Sequence, residues 1–244
     1  STELALTESQ QRTELILNAA KLGLWEWSYQ TDEVFYNRHW GGMLGFKPEE
    51  IAPVSKTFFD LIHPEDTPLL EEALKDQLEG KTELFEVEIR LRTRDGNWKW
   101  VHDKGRVMSR DENGTPVKVA GIHIDIDHRK AAERALTESE AFFRTLFEDS
   151  PLGILFCNMV GGIQEANEMA TQLLGYSRQE LTHKTLNDLS LDGQLFEGLV
   201  RTLQQDTTVN QFEQQLQHKD GGQIWSNLLV SVIRDINGQP ESII

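Results

Sequence analysis

Apolar residues in this chain change their period in a fixed order, and the order occurs twice. Residues 10–21 (QQRTELILNAAK) place them at helical spacing. Gly23 is positioned to end that helix, and LWEWSY after it alternates like a half-buried strand. Thr31-Asp32-Glu33 reads as a turn, with VFY as the returning strand of a hairpin. Asn37 stands where RHWGGMLG should begin a helix. Its side-chain oxygen suits an N-cap, and Gly45 suits the left-handed C-cap position. HPEDTPLLEEALKDQLEG carries a further helix, opened by Pro64 and by acidic residues that complement the helix dipole. In FEVEIRLRTRDGNWKWVHDKGRVMSR two long alternating runs flank Asp95-Gly96, a strong hairpin pattern. Alternation leaves open whether Trp98 and Trp100 or Lys99 and Val101 face inward. After the Asn113-Gly114 turn, PVKVAGIHIDID supplies a last strand.

The same syntax returns about 130 residues later. ALTES occupies residues 5–9 and 135–139, Gly23 and Gly153 each precede an apolar run, and Asn37 and Asn167 each precede a helical pattern. Gly45-Phe46 matches Gly175-Tyr176, and Glu50-Ile51 matches Glu180-Leu181. The offset then shrinks: Asp95-Gly96 and Trp100 pair with Asp220-Gly221 and Trp225 at 125, and Asn113-Gly114 pairs with Asn237-Gly238 at 124. A slowly drifting offset at this length describes two tandem globular domains, since solenoid repeats are only about 20–50 residues long. Each copy reads β-β-α…α-β-β-β. The expected fold class is α+β, with a five-stranded antiparallel sheet carrying helices on one face in each domain, joined by a long helix. The expected boundaries are a linker helix over 1–21, a first domain over 22–127, a connecting helix over 128–148 and a second domain over 149–244. By the offset of 124, Glu241–Ile244 match Val117–Ala120, so the last strand of the second copy is expected to be incomplete.

The motifs carry a family resemblance. G-x-W-x-W, the N…LGF helix, HPED, the RDG-x-x-x-W hairpin and the G-x-x-x-D-I-x-x-R-K ending together resemble a PAS domain with its PAC extension. The resemblance spans nearly all of the first copy. The second is less dense, through SPLGILF, EANEMATQLLGYS and KDGGQIWSNLLVSVIRDINGQP, with LNDLSLDG in place of HPED. Asp127 stands where the family's closing D-I-T has Thr; Asp can still cap the following helix.

Composition narrows the function. A net charge of −16 would repel a phosphate backbone, so no nucleic-acid partner is expected. No stretch approaches the roughly 20 apolar residues that span a bilayer. The surface charge and the resemblance point to a cytoplasmic bacterial protein. Cys157 is the single cysteine and sits in an apolar run, which suits a buried thiol and excludes an intrachain disulfide. There is no phosphate loop, no G-x-S-x-G elbow and no H-E-x-x-H pair. His63, Glu65 and Asp66 cluster in sequence but fit a helix N-terminus better than a metal site, so no metal and no catalytic residue is expected.

The resemblance implies a sensory module, and with it candidate cofactors. Flavin photochemistry would need a Cys soon after the LG[FY] element, and residues 47–65 and 177–195 contain none. Haem would call for a His on LLEEALKDQLEG or QLFEGLVRTLQQ, which have none. No cofactor is therefore expected, and a small ligand between sheet and helices stays open. The candidate ligand-binding residues are Trp40, Met43, Phe59 and His123 in the first copy, with Phe156, Met169 and Trp225 in the second; a simple core-filling role is the alternative for each. Candidate coupling residues are Asp125, Asp127, Arg129, Ala132, Leu136, Phe143 and Leu146. Positions 132, 136, 139, 143 and 146 are spaced as a heptad seam, and Leu6, Ser9, Thr13 and Ile16 continue the phase. The seam fits either packing on its own domain or a parallel homodimer contact. Together these readings describe an input and relay region. The expected output is a cyclic di-GMP enzyme or a histidine kinase beyond residue 244, with a ligand-free dimerisation scaffold as the alternative.

Overall fold

The computed structural model describes Leu15 and residues 19–203 and 210–244. The helix expected over 10–21 falls almost wholly outside the described residues, as do the seam positions Leu6, Ser9, Thr13 and Ile16. The chain divides into two compact units, residues 1–135 and 136–244.

In the first unit, β1 (Gly23–Ser28) and β2 (Glu33–Tyr36) form a hairpin whose turn includes Asp32 at φ 58°. Helices α1 (Arg38–Leu44), α2 (Ser55–Phe59) and α3 (Thr67–Leu78) follow, then β3 (Phe85–Arg92), β4 (Trp98–Arg110) and β5 (Pro116–Asp125). The sheet order is β2-β1-β5-β4-β3, with every neighbouring pair antiparallel. Phe85, Val87, Ile89 and Leu91 are buried along β3, and they pack with Trp40 and Leu44 of α1 and Leu70 of α3. That single core under one sheet face is the α+β layering read from the sequence.

Asn37 caps α1, its Oδ1 accepting from Trp40 N–H at 2.9 Å, and Gly45 closes the helix at φ 80°. The left-handed residue before β1 is Lys21 (φ 52°), not Gly23. Gly23 serves another need: a Cβ there would lie 2.4 Å from Met43 Cε. Helix α3 also starts later than the motif suggested, at Thr67 with Pro68 in its first turn. Its first turn holds no acidic residue. Glu65 and Asp66 instead take the guanidinium of Arg90 on β3, at 2.9 and 2.7 Å, a tertiary contact that no local pattern records.

The second unit repeats the topology with shorter pieces. It contains β6 (Leu155–Asn158), β7 (Ile163–Ala166), α5 (Glu168–Leu174), α6 (Arg178–Leu181) and α7 (Leu195–Leu203). Strands β8 (Asn210–Gln217), β9 (Gln223–Val230), β10 (Val232–Arg234) and β11 (Pro240–Ile243) complete it. The sheet β10-β11-β6-β7 and the ribbon β8-β9 meet at Ser231, which exchanges two backbone hydrogen bonds with Ile244. Together β9 and β10 cover the place that β4 holds in the first copy. Cys157 is buried in this core, and burial pushes its thiol up to about 12, which leaves it protonated and inert at neutral pH.

Helix α4 (Asp127–Glu148), 22 residues of strong helix formers without Gly or Pro, contributes its first turns to the first unit and the rest to the second.

Candidate functional site

The phase of β4 decides what the first domain holds in its core. Val101, Asp103 and Gly105 face inward, while Trp100 turns outward beneath the cations of Arg90 and Lys130. An acidic residue thereby enters the core directly opposite His123, its cross-strand partner on β5. Asp103 and His123 are each 1% exposed. Trp25 Nε1–H donates to Asp103 Oδ1 at 3.2 Å, and His123 Nε2 lies 2.9 Å from the same oxygen without an aligned hydrogen bond. On the other side of the ring, Trp40 Nε1–H donates to His123 Nδ1 at 2.7 Å. Four side chains from β1, α1, β4 and β5 thus form one buried polar chain.

Two glycines make room for it. Gly105 and Gly121 are cross-strand partners, and the Trp25 ring lies over both. A Cβ on Gly121 would sit 2.2 Å from Lys104 O and 2.4 Å from Trp25 Cζ2. Beside the polar chain is a cavity of about 40 Å³, bordered by Asp103, His123 and the rings of Tyr36, Phe58, Phe59 and Phe85 among others. Tyr36 donates its hydroxyl to Val54 O at 3.3 Å, and burial, with the charge of Asp32, raises the pKa of that hydroxyl.

Of the residues singled out in the first copy, His123 and Phe59 border this cavity and Trp40 holds His123 from behind. Met43 packs against Gly23 instead. The sequence reading did not find Trp25, Tyr36, Phe58, Phe85 or Asp103. The available signal was HDKG: once Val101 is inward, period-two alternation brings Asp103 inward too. In the second domain a larger cavity of about 650 Å³ is walled mainly by leucines, among them Leu173, Leu189, Leu199 and Leu216. Trp225 borders it from a position 71% exposed. Phe156 and Met169 do not border it; Phe156 packs on Phe143 and Phe147 at 6.0 and 5.4 Å between ring centroids. Among the described residues no group of three or more His, Cys, Asp or Glu side chains is arranged to hold a metal. His63 meets the edge of Trp98, and its Nδ1 accepts from Glu65 N–H.

The start of α4 is fastened to the same sheet. Asp127 Oδ1 accepts from Trp100 N–H at 2.8 Å, and Asp127 N–H donates to Asp125 Oδ1 at 3.0 Å. Lys99 bridges Asp125 at 2.6 Å and Asp127 at 3.2 Å. Partial burial pulls its ammonium down, but the two carboxylates outweigh that and hold it above the ordinary lysine value. Glu88 on β3 receives Lys130 and Arg129, each at 2.7 Å, and Arg129 also reaches Glu133. The hydrogen bonds from Lys130 and then Arg129 hold Glu88 below the usual carboxylate range. A carboxyl lowered on folding contributes stability above its unfolded value, and the contribution is lost as pH falls through the folded value. Attachment of α4 should therefore be complete above about pH 5 and weaken below the ordinary glutamate value of 4.5. Trp100 fluorescence followed in an acid titration checks this; Glu88→Gln should remove that part of the pH dependence, and an unchanged titration would count against it.

At its other end, α4 enters the second unit through Asn167. This fully buried amide caps α5, accepting from Ala170 N–H (2.9 Å) and Ile154 N–H (2.8 Å). Its Nδ2 donates to Phe147 O at the end of α4 (2.8 Å) and to Leu152 O (2.9 Å). The same residue type thus does more than the capping read from sequence. Nearby, Glu180 is brought to about 2, first by Lys219 and then by Ser177. Leu136, Phe143 and Leu146 remain more than half exposed along α4, with Ala132 exposed as well.

Two copies of a small α+β domain, each with short helices and antiparallel strands, define the class of this chain. Residues 33–123 and residues 141–244 each match a family model described as PAS fold, and the chain belongs to that family as two tandem PAS domains. Its relatives are signalling proteins. It is 26% identical over 168 residues to the sensor protein FixL of Bradyrhizobium diazoefficiens, covering 69% of this chain and 33% of that one. The two-component sensor PprA of Pseudomonas aeruginosa is 32% identical over 91 residues, 37% of this chain and 9% of PprA. The probable diguanylate cyclase DgcE of Escherichia coli is 21% identical over 247 residues, 97% of this chain and 21% of DgcE. The chain therefore spans a third or less of each of these relatives. A solved structure of a sensory box histidine kinase/response regulator from Burkholderia thailandensis is 30% identical, covering 55% of this chain and 99% of that one at a TM-score of 0.49. No described helix is long and apolar enough to cross a membrane.

Proposed function

We propose that this chain is the sensory input region of a bacterial signalling protein, in which the first PAS domain meets a small ligand beside Asp103 and His123. Its occupancy biases the attachment of α4, which relays the bias to the second domain and onward to an output enzyme. The observation that carries this reading is the short path along β5. His123 borders the cavity, and Asp125 and Asp127, two and four residues on, fix the first turn of α4 to β4. A ligand acts through such a path only by binding one arrangement better than the other. The histidine kinase and diguanylate cyclase relatives support an output of one of those two kinds. We place the working boundaries at 1–21, 22–127, 128–148 and 149–244, and the site in the cytoplasm, where such outputs act.

The coupling helix also forms a homodimer contact on this reading. Ala132, Leu136, Ser139, Phe143 and Leu146 keep the 4-3-4-3 spacing of a seam and are exposed, which favours a second copy over packing on their own domain. Sedimentation of the 244-residue chain should show a dimer that Leu136→Glu with Leu146→Glu dissociates. Self-association unaffected by that pair of changes would sink the contact. The 40 Å³ cavity is small, and that observation favours the second reading, a PAS dimerisation scaffold without ligand. Native mass spectrometry separates the two, because a retained small molecule supports sensing and a bare chain supports the scaffold.

A further inference from the structure

The pocket of the first domain is bordered by a carboxylate that is only partly hydrogen-bonded. Asp103 is buried; its Oδ1 receives Trp25, but its Oδ2 has no hydrogen-bond partner among the described residues. The charge balance turns on His123. Trp40 donates to Nδ1, so that nitrogen presents a lone pair and the ring carries its one proton on Nε2. Among the described residues no lysine or arginine borders the cavity. A buried carboxylate ordinarily has both oxygens satisfied; here Trp25 and His123 both approach Oδ1, and Oδ2 is left over.

The walls supply the complementary half of the argument. Trp25, Trp27, Tyr36, Phe58, Phe59 and Phe85 border the same cavity. Aromatic faces attract cations through the ring quadrupole, most strongly where water is excluded. A carboxylate oxygen surrounded by rings disfavours an anion and leaves a neutral apolar ligand facing an unsatisfied charge. A small ammonium group satisfies both features at once. Size limits it further: about 40 Å³ compares with the roughly 10–15 Å³ needed by one water, and falls well below the roughly 300–1,000 Å³ of drug-sized sites.

We propose that the first PAS domain binds a small primary ammonium cation, which donates to Asp103 Oδ2 within the aromatic walls. This rests on the reading that the cavity beside His123 is where the domain meets its ligand. The cation would give Oδ2 the partner it lacks and complete the polar chain Trp40–His123–Asp103–Trp25.

Methylammonium chloride is the probe, titrated into the 244-residue chain against sodium chloride at equal ionic strength, with methanol as the neutral analogue. Tryptophan fluorescence and thermal melting are read together. The expected result is a saturable response to methylammonium alone, with apparent affinity weakened at least about tenfold in Asp103→Asn and less in Phe58→Leu, which keeps the carboxylate and removes one ring. Phe58→Leu also decides the matter should Asp103→Asn fail to fold. A response shared by methanol, or an absence of any saturable response, overturns the proposal and leaves Oδ2 to water. Native mass spectrometry keeps the two levels apart. Another molecule retained where methylammonium fails overturns the cation and spares the sensing role, whereas a bare chain without response removes both.

Discussion

Replacing Asn167 by alanine should lower the stability of the second domain by about 3–5 kcal/mol, from four hydrogen bonds, two of them fully buried, at about 1 kcal/mol each. Alanine also leaves Phe147 O, Leu152 O and Ile154 N–H without this partner. The loss should be local. Five of the six tryptophans lie in the first domain, so fluorescence-detected urea unfolding should barely change while the circular dichroism transition gains an early phase. Asn167→Asp is a sharper version. It keeps the shape and the acceptor but turns a carboxylate toward two carbonyls that now receive an amide, and should be at least as damaging at neutral pH. An alanine variant that unfolds like the parent would show that Asn167 does not tie α4 to this domain.

The second large effect belongs to Gly121. An alanine there would bring its Cβ to 2.2 Å from Lys104 O, and a backbone atom inside a paired strand yields less than a side-chain tip. Overpacking costs about 1–3 kcal/mol where side chains can adjust, so about 3 kcal/mol or more is expected here. The nearest atoms to a Cβ on Gly105 are ring carbons of Trp25 and Phe85, so Gly105→Ala should cost less. Because Trp25 must move in either variant, its hydrogen bond to Asp103 goes as well, and tryptophan emission should shift before the domain melts. Equal stability of Gly121→Ala and the parent in urea would contradict the close packing over β5.

The pattern of residues disclosed what is local and repeated. Asn37 and Asn167 announced their helices because a cap is a contact over three residues, and Asp95-Gly96 announced its hairpin because the turn needs a left-handed glycine, found at φ 88°. His123 was reached through the family's last strand. Asp103 was not, because apolar residues occupy both faces of β4: Trp98 and Trp100 on one, Val101 on the other. The cations of Arg90 and Lys130 are what stabilise Trp100 outward, and they come from β3 and α4. Pro64 and the acidic pair Glu65 and Asp66 were read as a helix start, because nothing local reveals that Arg90, more than twenty residues away, claims both carboxylates. The same distance problem hid Phe156, whose partners Phe143 and Phe147 lie on the preceding helix.

The central claim is that the pocket and the coupling helix share β4 and β5 as one mechanical path. Hydrogen exchange of the amides over 126–130 tests it most directly, comparing the parent chain with Asp103→Asn. A change at Asp103, opposite His123, should speed exchange at the start of α4 by roughly tenfold, a coupling of about 1.4 kcal/mol. Exchange altered only within the sheet, with residues 126–130 protected as before, would contradict the account.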